Sequence, residues 1–571
     1  MPTVRVNEEE LLGSGRRNAG GGGASRARFV LATCGAVGGV YTLLFLAVSP
    51  RGDFPLNDDW AYAWSVRHLL ETGDLRISEW ASAASVVPVY WGALFSKLAG
   101  GFSFTALRVS TLVFGAVSPL ALCWLLRGLD IPRPAAVLAA VALLANPLFV
   151  HLNYTFMSDV FYLSLMLLSL GLYAHGIERD SAAALWAGSV VGAAAYLSRQ
   201  LGITLPLAAV AVLVIRHRTF PVKAILRAAL VPFAVFAIHT WWLREIHGVP
   251  WAFRLNVIHA GLATLLQSSA PAELWRRLLY AMLYLGVLTV PALVAVIVSG
   301  RLEAQRLRQL AWVYVAWVLF LGGPALFAHT AHGAGMPYLE GIINRTGIGF
   351  LALEGDKPHV TPEWVFDFVT LVAPLLGAAL ATLWTDALLN PRREFAAPGA
   401  VVLLCCLLMA ALTAPMAQLW DEYLIVFVPA SLYLILREGR VSVWGGCAGA
   451  LACAAMLAYT IPEQADYMAW NDARWTLGRR LVDGGAPPVE INGGFEWIGW
   501  YDFEEALPLA IAAGRGGDLF AWAEAIPDRY ILSFEPTQPP KRTRLVGSVP
   551  YRTQFGSQGW VYALELVSQA P

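Results

Sequence analysis

The chain has 571 residues, of which 57% are apolar and 14% charged, with zero formal net charge and a mean hydropathy of +0.57. Soluble domains carry about 25% charged residues, so water is not the main solvent here, and the balanced charge gives nucleic acid no electrostatic reason to bind. Repeated apolar runs of about 17–23 residues, each able to cross a hydrocarbon core, predict an α-helical multi-pass membrane protein.

Residues 1–28 form a polar arm, with SGRRNAGGGGASRAR low in complexity and expected to be disordered. No small-residue cleavage site follows, so the first apolar run reads as a retained helix. Apolar runs then predict spans near 29–49, 104–126, 134–150, 158–175, 183–198, 201–215, 228–243, 278–299, 310–328, 364–385, 398–414, 423–436 and 441–459, about thirteen helices in a domain covering 29–459. Arg16, Arg17, Arg26 and Arg28 precede the first span, and RGLDIPR, RHRTFPVKAILR, RLEAQRLR, NPRRE and REGR fall on the same side when the spans alternate. Dense basic short loops mark the cytoplasmic side. The segments 50–103, 244–277, 329–363 and the tail from about 460 then face outward, in the cell (plasma or inner) membrane.

The first outer loop, 50–103, is patterned. WAYAWSVRHLLETGD has helical spacing with Gly73 as a stop, and SVVPVYWGALFSKLAG is a short apolar stretch. Both are expected as helices on the membrane surface, with their aromatic residues at headgroup depth. Residues 460–571 change composition. EQADYMAWNDARWTLGRRLVDGG predicts an amphipathic helix, and VEINGGFEWIGW, RYILSFEP and GWVYALELV predict short strands of a small extracytoplasmic α/β domain. The six cysteines fall within apolar runs, which implies buried thiols rather than a disulfide framework.

The chemistry-bearing candidates gather at the outer ends of the spans. In PLNDDWAYAW, Asp58 and Asp59 stand among Trp60, Tyr62 and Trp64. A carboxylate held at an interface can have its proton affinity tuned to suit a general base, although an acidic loop anchored by interfacial aromatics would look the same. Asp159 lies in the first turn of a helix from the same face, where it could equally favour the helix N-terminus. Three acids at one depth could surround an acceptor or hold a divalent metal, and no cofactor is otherwise indicated. Arg199, Arg108 and Arg345 supply guanidinium groups suited to phosphate, or to snorkelling. His329 and His332 have a spacing that could fit a metal but lack a third ligand nearby.

At these motifs the chain resembles the GT-C superfamily of membrane glycosyltransferases, in the branch of the protein O-mannosyltransferases and lipid A aminoarabinose transferases. NDDWAYAWSVRHLLETGDL is similar to that branch's Asp-Glu-x-x-Tyr-Ala stretch, FTALRVSTLVFG to the opening of its second helix, MSDVFYLSLMLL to its fourth-helix motif, and AAYLSRQLGITLPLA to the stretch approaching the lipid phosphate. The resemblance implies catalytic roles for Asp58, Asp59 and Asp159 and donor-phosphate binding by Arg199, Arg108 and Arg345, and puts Tyr62 at the family tyrosine; Trp60 and Tyr62 are expected to wall the site. It also implies a polyprenyl-phosphate sugar donor in the bilayer, a glycan, lipid or protein acceptor, and inverting transfer at the outer face. Two departures stand out. Val87-Pro88 occupies the place of a Lys-Pro-Pro, and Asp421-Glu422-Tyr423 that of an Asp-Arg-Tyr, each removing a positive charge. Transfer of aminoarabinose is therefore not implied. The rival readings are a transporter or flippase, which would need ionisable groups nearer mid-depth; a polysaccharide polymerase or ligase, which would have a large basic late outer loop; and an inactive binding subunit, which would lack the acids at 58 and 159.

Overall fold

The computed structural model describes residues 21–82, 84–216, 220–259, 266–300, 304–333, 335–339, 341–416 and 418–567. The arm at 1–20 lies outside them. The chain is mostly helical: α1 (Gly21–Ala47), α2 (Asp59–Thr72), α3 (Val86–Leu98), α4 (Phe104–Gly115), α5 (Val117–Gly128), α6 (Arg133–Ala145), α7 (Pro147–Asn153), α8 (Ser158–Glu178), α9 (Ala182–Tyr196), α10 (Thr204–Arg216) and α11 (Val222–Trp242). Then follow α12 (Ala270–Leu288), α13 (Val290–Ser299), α14 (Ala304–His332), α15 (Glu363–Leu389), α16 (Ala400–Thr413), α17 (Val428–Arg437), α18 (Val443–Asp483), α19 (Phe495–Tyr501) and α20 (Phe503–Ala512).

Among the described residues, seven helices are long and apolar enough to cross a membrane, or up to nine when each bent pair counts as one span. The protein is thus a multi-pass membrane protein. The difference from about thirteen has a geometric origin, because several apolar runs form helices of 10–17 residues, such as α9 and α16, whose rise of about 1.5 Å per residue falls short of a hydrocarbon core. The α6–α7 pair bends by 62°. Pro147 there removes an intrahelical donor, and the Asn146 side chain accepts from the Leu148 amide at 3.0 Å, starting a new helix.

Both helices predicted in the 50–103 loop form, and α2 ends at Gly73 in a left-handed conformation (φ 82°). Trp60, however, is not open to a lipid headgroup layer. It is 1% exposed and packs against Trp80, Phe495, Phe503 and Trp522, with ring centroids 5.0–6.2 Å apart. Gly499 permits this approach, since a Cβ there would lie 2.3 Å from the Trp60 ring. The C-terminal segment therefore covers one face of α2.

The apolar run at 441–459 and the amphipathic stretch after it form one 41-residue helix, α18, closed at Gly484. After it, β3 (Ile491–Asn492), β4 (Tyr530–Ser533), β5 (Thr543–Arg552) and β6 (Gln558–Leu566) build a sheet of order β3-β4-β6-β5, parallel at β3–β4 and antiparallel elsewhere. FEWIGW, predicted to be a strand, is the helix α19 instead, because Trp497 fills a buried place against Trp475. A two-stranded ribbon, β1 (Ile343–Asn344) and β2 (Gly347–Ile348), lies in the loop before α15.

Candidate functional site

A cavity of about 560 Å³ lies where α2, α11, α19, the stretch after α9 and the turn before α17 meet. Its charged lining residues are Asp58, Arg199, Arg244 and Glu422, with Tyr62 and Tyr423 beside them. Phe236, Leu243, Phe253, Val257 and Leu412 make a largely apolar flank, and Trp80, Phe495 and Phe520 an aromatic one.

Asp58 sits at this wall because of the turn that carries it. Asn57 takes φ 54°, a left-handed conformation that asparagine tolerates better than most residues. The Asp59 side chain accepts from the Leu56 amide at 2.7 Å and from the Phe156 amide at 3.1 Å, joining the turn to the segment that opens α8. Asp58 is left facing the cavity, where it accepts a hydrogen bond from Trp80 Nε1 at 2.8 Å. Burial pushes the Asp58 carboxyl up to about 6. Glu496 adds to the rise, while the Trp80 bond and the Arg199 charge oppose it. Burial likewise pushes Asp59 up to about 8, against Arg108 and the two amide bonds.

A second pair of adjacent acids arrives from residues 421–422. Asp421 accepts from the Ile342 and Ile343 amides at 2.8 and 2.7 Å, holding the loop before α15 in place. Gly341, with φ 134°, passes so close that a Cβ would fall 2.3 Å from Asp421 Oδ1. The neighbouring Glu422 lines the cavity. Burial raises its carboxyl to about 8, helped by the nearby charges of Asp58 and Asp421 and opposed by Arg199.

Arg199 is ion-paired with Asp159, and its guanidinium lies 5.2 Å from the centre of the Tyr423 ring. Asp159 is 1% exposed, and its Oδ2 has no hydrogen-bond partner among the described residues. The acids at 58 and 159 are thus linked through one arginine that both lines the cavity and pairs with the deeper carboxylate.

The remaining sequence candidates lie elsewhere. Arg108 does not line the cavity. Its guanidinium donates to the carbonyls of Tyr154, Pro50, Gly52 and Phe54 at 2.7–3.1 Å, clamping the 50–54 loop to the end of α7. Such saturated donors leave little for a phosphate. Arg345 pairs with Asp367 at 3.1 Å and is likewise absent from the wall. Trp60 belongs to the aromatic cluster beneath α2, whereas Tyr62 lines the cavity. Asp59 acts on the backbone rather than facing the cavity. Among the described residues no group of three or more His, Cys, Asp or Glu side chains gathers as a metal site would require; the His332 side chain lies outside them.

Sequence reasoning missed Glu422, Arg244, Trp80 and Phe495 as wall residues. The acidic pair in WDEY was the one available signal for Glu422, being of the same kind as NDDW. Arg244 follows Trp241-Trp242 at the end of an apolar run, a pattern shared with ordinary interfacial anchors.

Residues 84–242 match the family model described as dolichyl-phosphate-mannose-protein mannosyltransferase. Over that segment the resemblance to the protein O-mannosyltransferase branch of the GT-C glycosyltransferases is borne out. The matched residues take in Arg108, Asp159 and Arg199 but neither Asp58 nor Glu422. No curated protein matches the chain. Among solved structures, the apo oligosaccharyltransferase of Archaeoglobus fulgidus is similar at 13% identity, with 88% of this chain and 69% of that one covered and a TM-score of 0.45. ArnT from Cupriavidus metallidurans is similar at 14% identity in the apo state, with 94% and 98% covered and a TM-score of 0.40. Bound to undecaprenyl phosphate, ArnT gives 13% identity, 93% and 97% covered, and a TM-score of 0.38.

Proposed function

We propose that the protein is a membrane glycosyltransferase that moves a sugar from a polyprenyl-phosphate donor to a glycan, lipid or protein acceptor at the outer face of the membrane. The observation that carries this reading is one cavity with an apolar flank for a lipid chain and, on its wall, an acid and two guanidinium groups: Asp58, Arg199 and Arg244. The family matched over 84–242 is named for a donor of the same chemical class. The basic short loops argue for a cytoplasmic N-terminus, which puts this cavity on the far side.

In the reaction, Asp58 takes the proton from the acceptor hydroxyl or amine. The acceptor attacks the anomeric carbon as its bond to the phosphate oxygen breaks, the electron pair leaves with the polyprenyl phosphate, and a single displacement inverts configuration. Arg199 and Arg244 stabilise the charge growing on the phosphate, and Asp159 holds Arg199 in place. Glu422, protonated near neutral pH because burial raises it to about 8, donates a hydrogen bond where an ionised acid would repel phosphate.

The test is to supply the purified protein with polyprenyl-phosphate sugars and measure released polyprenyl phosphate. Asp58→Asn, equally folded, should release it about 10³-fold more slowly than wild type; release near the wild-type rate removes Asp58 as the base.

A further inference from the structure

Outside the cavity wall, a fully buried ion pair joins the C-terminal segment to the turn carrying Asp58. Arg474 Nη1, on α18, donates to Glu496 Oε2 at 2.8 Å, and both side chains are 0% exposed. Arg474 also lies near the rings of Trp470 and Trp475, 5.2 and 5.8 Å from their centres. The other oxygen, Glu496 Oε1, accepts from the Asn57 backbone amide at 3.0 Å. Asn57 is the residue in the left-handed conformation and directly precedes Asp58. The adjacent Phe495 is itself part of the cavity wall. The first turn of α19 therefore presents one side chain to the substrate space and the next to the backbone beneath Asp58.

We infer that Glu496, held by Arg474, is a positioning residue that fixes the Asn57–Asp58 turn, so that the C-terminal segment is part of the catalytic machinery rather than an appended module. The inference rests on the reading of Asp58 as base. An isolated buried ion pair is weak evidence of stability, but here one oxygen is directed to a backbone amide far away in sequence, at the residue where the turn is least favourable for an L side chain. A loosened turn would let Asp58 drift from the acceptor, and a misplacement of about 1 Å is enough to slow a reaction roughly hundredfold. Glu496 also faces Asp58 as a negative charge, alongside Arg199, Glu422, Tyr62, Tyr423 and the Trp80 bond.

The test compares Glu496→Ala, Glu496→Gln and the double variant Arg474→Met with Glu496→Gln, all in the full chain. The double variant removes the buried pair as a unit and so avoids stranding a charge. Glu496→Ala is expected to lower kcat by about tenfold to hundredfold, with donor KM within about twofold, and to lose hydrogen-exchange protection in the peptide spanning Asn57–Trp60. Glu496→Gln keeps an acceptor for the Asn57 amide, so protection stays, while loss of the charge moves the acid limb of the rate profile down by about half a pH unit. The double variant is expected to show the same pH displacement. Wild-type protection in Glu496→Ala, or an unmoved acid limb in both Gln variants, would overturn the inference. The exchange measurement needs no turnover, so it decides the role of Glu496 even if Asp58→Asn proves fully active and the base assignment fails.

Discussion

Residues 57–60, NDDW, and 420–423, WDEY, are two turns of the same kind that reach the cavity from opposite ends of the chain. In each, one of two adjacent acids accepts backbone amides from a distant segment, Asp59 from Phe156 and Asp421 from Ile342 and Ile343, while its neighbour faces the cavity. They differ in how the cavity-facing acid is held. Arg199 opposes the rise of both, but Asp58 also receives an indole N–H, and burial raises it only to about 6. Burial, together with the charges of Asp58 and Asp421, carries Glu422 to about 8. In the proposed reaction the first acts near neutral pH as an ionised base and the second as a protonated donor. Environment, not residue type, divides the work between the two carboxyls.

The largest expected effect is at Asp58. Replacement by Asn should slow polyprenyl-phosphate release by about 10³-fold, whereas Glu422→Gln, which stays neutral and keeps a donor, should retain most of the rate. Equal losses in the two variants would break the comparison. Next, Arg199→Ala should raise donor KM by roughly tenfold or more if the guanidinium makes the proposed charge-assisted bonds to phosphate, and unchanged donor KM would withdraw it from the donor site. Arg244→Ala should act in the same direction and by less, because the exposed end of its side chain is more screened by water.

The two bracing acids sharpen the contrast through stability. Asp59→Ala and Asp421→Ala each leave two backbone amides without acceptors, which costs about 1–3 kcal/mol per buried group. Thermal unfolding in detergent should therefore fall for both. Pure loss of turnover at wild-type stability would make Asp59 a participant in the chemistry. A smaller effect concerns pH. Glu422 is protonated below its value of about 8 and ionised above it, so turnover should decline as pH rises past that point. Glu422→Gln should flatten this alkaline limb, as read from the rate profile.

Much of this organisation was legible in the sequence. Apolar runs without charges can only be buried or lipid-facing, so the helical membrane domain followed from composition, and Gly73 as the end of α2 followed from its backbone freedom. The continuity of α18 was hidden, because the polar change near Pro462 reads as a boundary while the backbone stays helical across it. Motif and expected depth both drew attention to Asp58, Tyr62 and Arg199, which the fold brings to the cavity wall, and to Asp159, which pairs with Arg199. Arg108 looked equivalent to Arg199 in sequence, each an arginine interrupting an apolar run. What separates them is which groups the fold brings near: four carbonyls for Arg108, a carboxylate and the cavity for Arg199. Partners 46–58 residues away carry no local signature at the arginine itself. Glu496 was invisible for the same reason, its partner Asn57 lying 439 residues earlier.

The most direct measurement is the pH dependence of kcat/KM for polyprenyl-phosphate release by wild type and by Asp58→Asn. Wild-type activity should fall as pH drops through about 6, where Asp58 takes up a proton, and the variant should remain at a low level without that step. An acid limb of the same position and amplitude in Asp58→Asn would contradict the account.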